Sequence, residues 1–151
     1  MPGCFENVLK FCEDKKIKVD FNQGLDSRLV NQDIANLIIR FRKYIKPYCR
    51  FAFDSLSYRD SVERVLNILK WQHYWYVYCD NNWESALERV LILKRYKQSV
   101  YLMRDKEKIN PDSKKHKILA HWVNCLGAMR SWDFFDHIQY YNNPKEFVKT
   151  K

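Results

Sequence analysis

Glycine and proline are scarce in this chain, three and four residues among 151. So few chain breakers exclude collagen-like, low-complexity and disordered readings, and the 46% hydrophobic content is enough to build a core. Long apolar runs are missing too. A stretch such as Val90-Leu91-Ile92-Leu93 is closed at once by Lys94 and Arg95, far short of the roughly 20 residues a spanning helix needs. The first residues, Met1-Pro2-Gly3-Cys4-Phe5-Glu6, carry no basic segment followed by an apolar one, so the expectation is a cytoplasmic protein without a secretory signal. Cysteines are few and scattered: Cys4, Cys12, Cys49, Cys79 and Cys125 form no CxxC pair. They read as reduced and mostly packed thiols, with Cys79 singled out because it stands where a strand ends. Also absent are GxxxxGK[ST] and GxGxxG phosphate loops, the GxSxG elbow and the HExxH metal pair. The histidines, His73, His116, His121 and His137, have no shared ligand spacing and read as surface or packing residues, so no metal set is expected.

What the chain does have is positive charge, 27 Lys and Arg against 18 Asp and Glu, a formal +9 that suits a polyanionic partner. The basic runs nevertheless fall at the ends of predicted helices: Lys15-Lys16, Arg40 to Lys46, Lys94 to Lys97, and Lys114 to Lys117. There they complement helix dipoles and face water. Aromatics are dense, and Tyr74-Trp75-Tyr76 offers rings on which bases could stack, although packing across a strand accounts for them more simply. The length suits one domain, residues 1–151, and is too short for a complete eight-fold (β/α) barrel of about 250 residues.

Periodicity alternates between helix and strand. Phe5, Val8, Leu9 and Cys12 recur at helical spacing, and Ile17 to Phe21 alternates as a strand. The polar cluster Asn22 to Arg28 then breaks the chain. Asn31 caps a helix bearing Ile34, Leu37, Ile38 and Phe41, Pro47 closes it, and Cys49 to Phe53 is the next strand. A helix over Ser57 to Lys70, a strand over Tyr74 to Val77 and Tyr78, a helix from Trp83 to about Tyr96, and a strand from Ser99 to Met103 follow. Units recurring every 25 to 30 residues or so predict a parallel sheet of four βα units. Beyond it, Lys106 to Lys115 reads as a polar loop, Lys117 to Leu126 as a helix with Gly127 at its C-cap, and the aromatic tail from Trp132 through Phe147 as a short helix or coil.

In parallel α/β folds, ligands meet the loops at the carboxyl ends of strands. That rule selects Asn22, Gln23, Asp26 and Arg28 after the first strand, Asp54 and Ser55 after the second, Asp80, Asn81 and Asn82 after the third, and Arg104 with Asp105 after the fourth. Asp80-Asn81-Asn82 serves equally well as a helix cap or a ligand contact. Asp26-Ser27-Arg28, an acid and a base two apart, favours function.

The run from Ile17 to Leu29, "IKVDFNQGLDSRL", resembles a segment of radical S-adenosylmethionine (radical SAM) proteins in which a strand "VDFNQGLDxRL" enters the following helix. Arg50 to Ser55, Tyr76 to Tyr78 with Asp80 and Asn81, Val100 to Arg104, and His121-Trp122-Val123-Asn124 are similar, in order, to later segments of that superfamily. The resemblance implies an incomplete (β/α) barrel: about four parallel βα units plus a helical, aromatic C-terminal tail, the C-terminal part of a six-unit partial barrel. It also implies a cofactor wall of Asn22, Gln23, Asp26, Arg28, Asp54, Ser55, Tyr78 and Arg104, with S-adenosylmethionine as cofactor. Carboxylates would accept from ribose hydroxyls, and an Arg fork would pair with the methionine carboxylate. The superfamily's CxxxCxxC loop, which holds three irons of a [4Fe–4S] cluster, is not in this sequence. The chain is therefore expected to be a truncated product or one piece of a split enzyme, not catalytic alone, with any cluster supplied by a missing N-terminal segment. A partner polypeptide carrying the cluster strands, or self-association, is the expected companion. The alternative is a stand-alone basic module that binds nucleic acid or another polyanion.

Overall fold

The computed structural model describes residues 2–46, 48–110, 113–125 and 127–142. Among them the chain is α/β, with four parallel strands in one sheet of order β1-β2-β3-β4 and seven α-helices. The strands are β1 (Leu25–Asp26), β2 (Arg50–Ala52), β3 (Tyr74–Cys79) and β4 (Ser99–Arg104). The helices are α1 (Pro2–Asp14), α2 (Gln32–Arg40), α3 (Arg59–Ile68), α4 (Trp83–Arg95), α5 (Lys114–Asn124), α6 (Ala128–Ser131) and α7 (Phe134–Asn142). The residues group into two compact units that meet inside β3, one ending at Trp75 and the other beginning at Tyr76.

In the first unit, α1 buries Leu9 and Cys12. The strand expected over Ile17 to Phe21 is not formed. Val19 makes a single parallel bridge to Ile45, its N–H donating to Tyr44 O at 2.8 Å while its carbonyl accepts from Lys46 N at 2.8 Å. A turn closed by Gly24 N donating to Phe21 O (3.0 Å), with Gly24 at φ +83°, then lifts the chain away. Pairing resumes where a loop was expected, Leu25 opposite Phe51 and Asp26 opposite Ala52. The interrupted register, not any lack of strand propensity, is what breaks the predicted strand. Asn31 caps α2 as its position implies, Oδ1 accepting from Ile34 N at 2.9 Å. The helix-ending role expected of Pro47 lies outside the described residues. The third helix begins with a tighter turn at Leu56–Tyr58 before α3. Phe51, Phe53, Val62, Val65, Leu69 and Trp75 are fully buried, and Phe51 stacks on Trp75 with ring centroids 4.9 Å apart.

In the second unit, β3 and β4 alternate: Val77, Cys79, Val100 and Leu102 are buried, whereas Tyr76 and Tyr78 are half-buried and Tyr101 is exposed. This period of two is that of a sheet with one covered face. The covering layer includes α4 and α5, whose Val90, Leu93, Leu119 and Trp122 are buried. Trp122 Nε1 donates to Trp132 O at 3.2 Å, and its ring lies 5.2 Å from that of Phe134. α5 spans Lys114–Asn124, starting three residues before the expected helix. Gly127, expected at its C-cap, adopts φ +91° and leads into α6. The tail is helical, as α6 and α7, through Asn142; the part of the expected tail segment from residue 143 to Phe147 lies outside the described residues.

The outer edge of β4 is occupied by a side chain. Asn124 Oδ1 accepts from Leu102 N at 2.8 Å and its Nδ2 donates to Leu102 O at 3.1 Å. A carboxamide so placed imitates the next strand's peptide and blocks edge pairing at that residue. No helix among the described residues is long and apolar enough to cross a membrane.

Candidate functional site

At the carboxyl end of β1, the sequence-predicted acid and base bind each other. Asp26 Oδ1 accepts from Arg28 N and Nε, both at 2.9 Å, and Oδ2 accepts from the Arg28 terminal nitrogen at 2.6 Å. This fork both caps the short turn Ser27–Leu29 and forms an ion pair. The Arg28 hydrogen bond holds the Asp26 carboxyl below the usual carboxylate range and raises the guanidinium in return. The guanidinium also covers the Tyr58 ring, 4.3 Å from its centroid. Asn22 and Gln23 are exposed in the turn that precedes β1, not at its carboxyl end. Asp20, two residues before them, pairs with Arg50 of β2 at 2.8 Å.

At the end of β2, Ser55 Oγ accepts from Ser57 N at 3.3 Å and lies 2.8 Å from Ser57 Oγ, so it caps the turn before α3. Asp54 beside it is exposed and makes no hydrogen bond or ion pair with a described residue. It is the free acceptor of this strand end.

Beside Asp26 lies a cavity of about 330 Å³ lined by Phe5, Leu25, Leu29, Val30, Asn31 and Ile34. Its two polar residues already serve Arg28 and the α2 cap, so what it presents is an apolar slot. Leu29 at its mouth is 73% exposed.

In the second unit, Tyr78 Oη donates to Asp105 Oδ2 and accepts from Lys108 Nζ at 3.3 Å. The bond to Asp105 raises the Tyr78 phenol, and the same bond holds the Asp105 carboxyl down. Asp105 further accepts from Glu107 N at 3.0 Å and Lys108 N at 3.3 Å, making it the organiser of the loop after β4. Asp80-Asn81-Asn82 acts as a cap: Asp80 Oδ1 accepts from Asn82 N at 2.9 Å, and Asn82 Oδ1 accepts from Ser85 N at 3.0 Å. His116 is buried with Nε2 2.8 Å from Asp80 O and Nδ1 2.6 Å from Ser113 Oγ, a packing role.

Arg104 belongs to a different place. It borders a groove of about 510 Å³ along β4 and α5, together with Tyr101, Lys106, Lys117, His121 and Tyr141. Sequence spacing did not single out the other five, because they come from one strand, one loop and two helices, and nothing local joins them.

The residues fit the expected cofactors unevenly. Among the described residues, no three His, Cys, Asp or Glu side chains lie together as a metal set. Burial pushes the Cys49 thiol up to about 12 and Cys79 up to about 11, so neither offers a ready thiolate for iron. Among the described residues, the buried Cys49 and Cys79 and the scattered, exposed Cys4 and Cys125 do not assemble a site that fits an iron–sulfur cluster. For S-adenosylmethionine, Asp54 is a free acceptor for ribose hydroxyls, whereas the Arg28 fork that would take the methionine carboxylate is held by Asp26. No protein-family model, no curated protein and no solved structure matches this chain.

Proposed function

We propose that this chain forms the later wall of a radical SAM-like partial barrel and works with a cluster-bearing segment that lies outside these 151 residues. The observation that carries the reading is the strand order. Four parallel strands follow one another across the sheet in chain order, without the reversal that makes a doubly wound fold. One face of β3 is covered while Tyr76 and Tyr78 on the other are half-buried, as barrel-wall residues facing an unfilled interior would be. The motif run from Ile17 to Leu29 supports the same assignment, and Asp54, exposed at the end of β2, is available to accept from a ribose hydroxyl.

The expected partner supports it further. The apolar slot beside β1, with exposed Leu29 at its mouth and exposed Phe11 and Ile17 elsewhere in the same unit, is surface that water disfavours. A segment bringing the preceding strands, on the same chain or on a partner, would cover it and free Arg28 from Asp26. In that assembly the cofactor would supply radical chemistry, while this chain would contribute binding and orientation through Asp54 and shielding through its aromatic face.

Titrating S-adenosylmethionine into the isolated chain and following backbone amide resonances tests this. The expected result is weak, saturable perturbation at Asp54 and Ser55, reduced at least fivefold in affinity by Asp54→Asn. Saturable binding that leaves both residues unperturbed, or no binding at all, would remove the proposal. Anaerobic iron–sulfur reconstitution of the chain alone is expected to give no stoichiometric four-iron cluster; a cluster able to cleave S-adenosylmethionine would overturn the division of labour.

A further inference from the structure

The groove along β4 and α5 combines three cations with two aromatic rings, and no carboxylate lines it among the described residues. Arg104, Lys106 and Lys117 are exposed and make no ion pair with a described residue. Asp105, between Arg104 and Lys106 in sequence, bonds instead to Tyr78, to Lys108 and to two backbone N–H groups. Three like charges around one depression repel each other, and an anion held among them relieves that repulsion. Tyr101 and Tyr141, 43% and 39% exposed, offer ring faces of the kind on which bases stack. His121 is fixed beside them: its Nδ1 is 3.0 Å from Nε2 of buried His137, and its ring meets Tyr141 edge-on at 5.5 Å. The backbone of Leu102 in the floor of the groove is already paired with Asn124, so that residue is closed to an added peptide strand. The volume, about 510 Å³, falls within the range of small-ligand sites.

We infer that this groove binds a nucleoside phosphate, its phosphate held by Arg104, Lys106 and Lys117 and its base against Tyr101 or Tyr141. The inference is independent of the barrel reading, because it rests on the second unit alone and on no motif. The ligand is either a free nucleotide or a nucleotide within a single strand of nucleic acid, and the two share the same recognition chemistry.

Calorimetric titration at low salt with AMP, ATP, adenosine, inorganic phosphate and a short oligothymidylate separates the cases. ATP is expected to bind more tightly than AMP, with adenosine and inorganic phosphate each at least tenfold weaker than AMP. The double variant Arg104→Gln/Lys117→Gln, altering exposed side chains and checked for folding by circular dichroism, is expected to lose at least tenfold in affinity. Tyr101→Ala should weaken AMP more than inorganic phosphate. An oligonucleotide that binds more tightly than ATP, with a steep salt dependence, identifies a strand as the source; one that binds no better identifies a free nucleotide. Binding of inorganic phosphate equal to that of AMP, binding unchanged in the folded double variant, or no binding of any phosphate-bearing ligand would overturn the inference.

Discussion

His73 is fully buried between aromatic rings, 4.9 Å from Trp71 and 5.4 Å from Phe51 by ring centroids. Burial drives its imidazole down to about 4 from the ordinary 6.5, with nearby Arg42 acting in the same direction. The unfolded chain takes up that proton as pH falls below 6.5, and the folded chain only near 4. Stability is therefore fully present above 6.5 and declines through this window, by about 3 kcal/mol for a shift of this size. Burial also lowers His137, which adds in the same direction. Urea unfolding between pH 7 and 4.5 should show the fall, and His73→Leu should flatten most of it; an equal fall in the variant would assign the effect elsewhere. The carboxylates of Asp26 and Asp105, held low by Arg28 and Tyr78, contribute stability that is lost only under more acidic conditions. Among the thiols, burial keeps Cys12, Cys49 and Cys79 from solvent and leaves Cys4 and Cys125 exposed, which matches the reading of Cys79 as packed.

At the scale of elements, two helices end without glycine in the left-handed position. After α1, Lys16 adopts φ +54°, and Ile17 N donates back to Cys12 O at 3.0 Å; after α4, Lys97 adopts φ +55°, and Gln98 N donates to Leu93 O at 3.1 Å. Both are six-to-one closures that satisfy the last carbonyls of the helix, and glycine makes them at the least steric cost. Lys97→Gly should stabilise the protein by about 0.5–1 kcal/mol, the penalty of a side chain in that conformation less the added flexibility of the unfolded chain. Thermal unfolding would register this as a rise of about 2–4 °C per kcal/mol for a chain of this size. An unchanged or lowered midpoint would mean that the lysine stem contributes packing that outweighs the backbone strain. Asn124 performs a different task, pairing with both backbone groups of Leu102, so one edge of the sheet is managed by a helix residue rather than by another strand.

For the molecule as a whole, the division into two units within β3 means that each carries its own buried residues and its own candidate site. The first unit leaves Leu29, Phe11 and Ile17 at 73%, 54% and 47% exposure. In the absence of a partner, sedimentation velocity should reveal concentration-dependent self-association that Leu29→Lys weakens, because a charge there costs more in a buried interface than in water. A monomer at every concentration would count against the partner reading while leaving the groove of the second unit untouched.

The sequence by itself determined most of the alternation of helix and strand and the helix cap at Asn31, since these follow from local periodicity and from a side chain that bonds within three residues; at Asn82 it left cap and ligand contact open, and the structure shows the cap. It also placed the acid and the base at Asp26 and Arg28, though not their bond to each other. Local pattern failed at Ile17 to Phe21, where strand propensity is intact but the neighbouring segment offers Val19 a single partner and the turn before Gly24 moves pairing on to Leu25 and Asp26. Tertiary structure alone decided that Arg104 joins Lys106, Lys117 and two tyrosines, and that His121 meets His137 sixteen residues away. Register and long-range packing depend on which segments meet in space, and no spacing along the chain encodes those meetings directly.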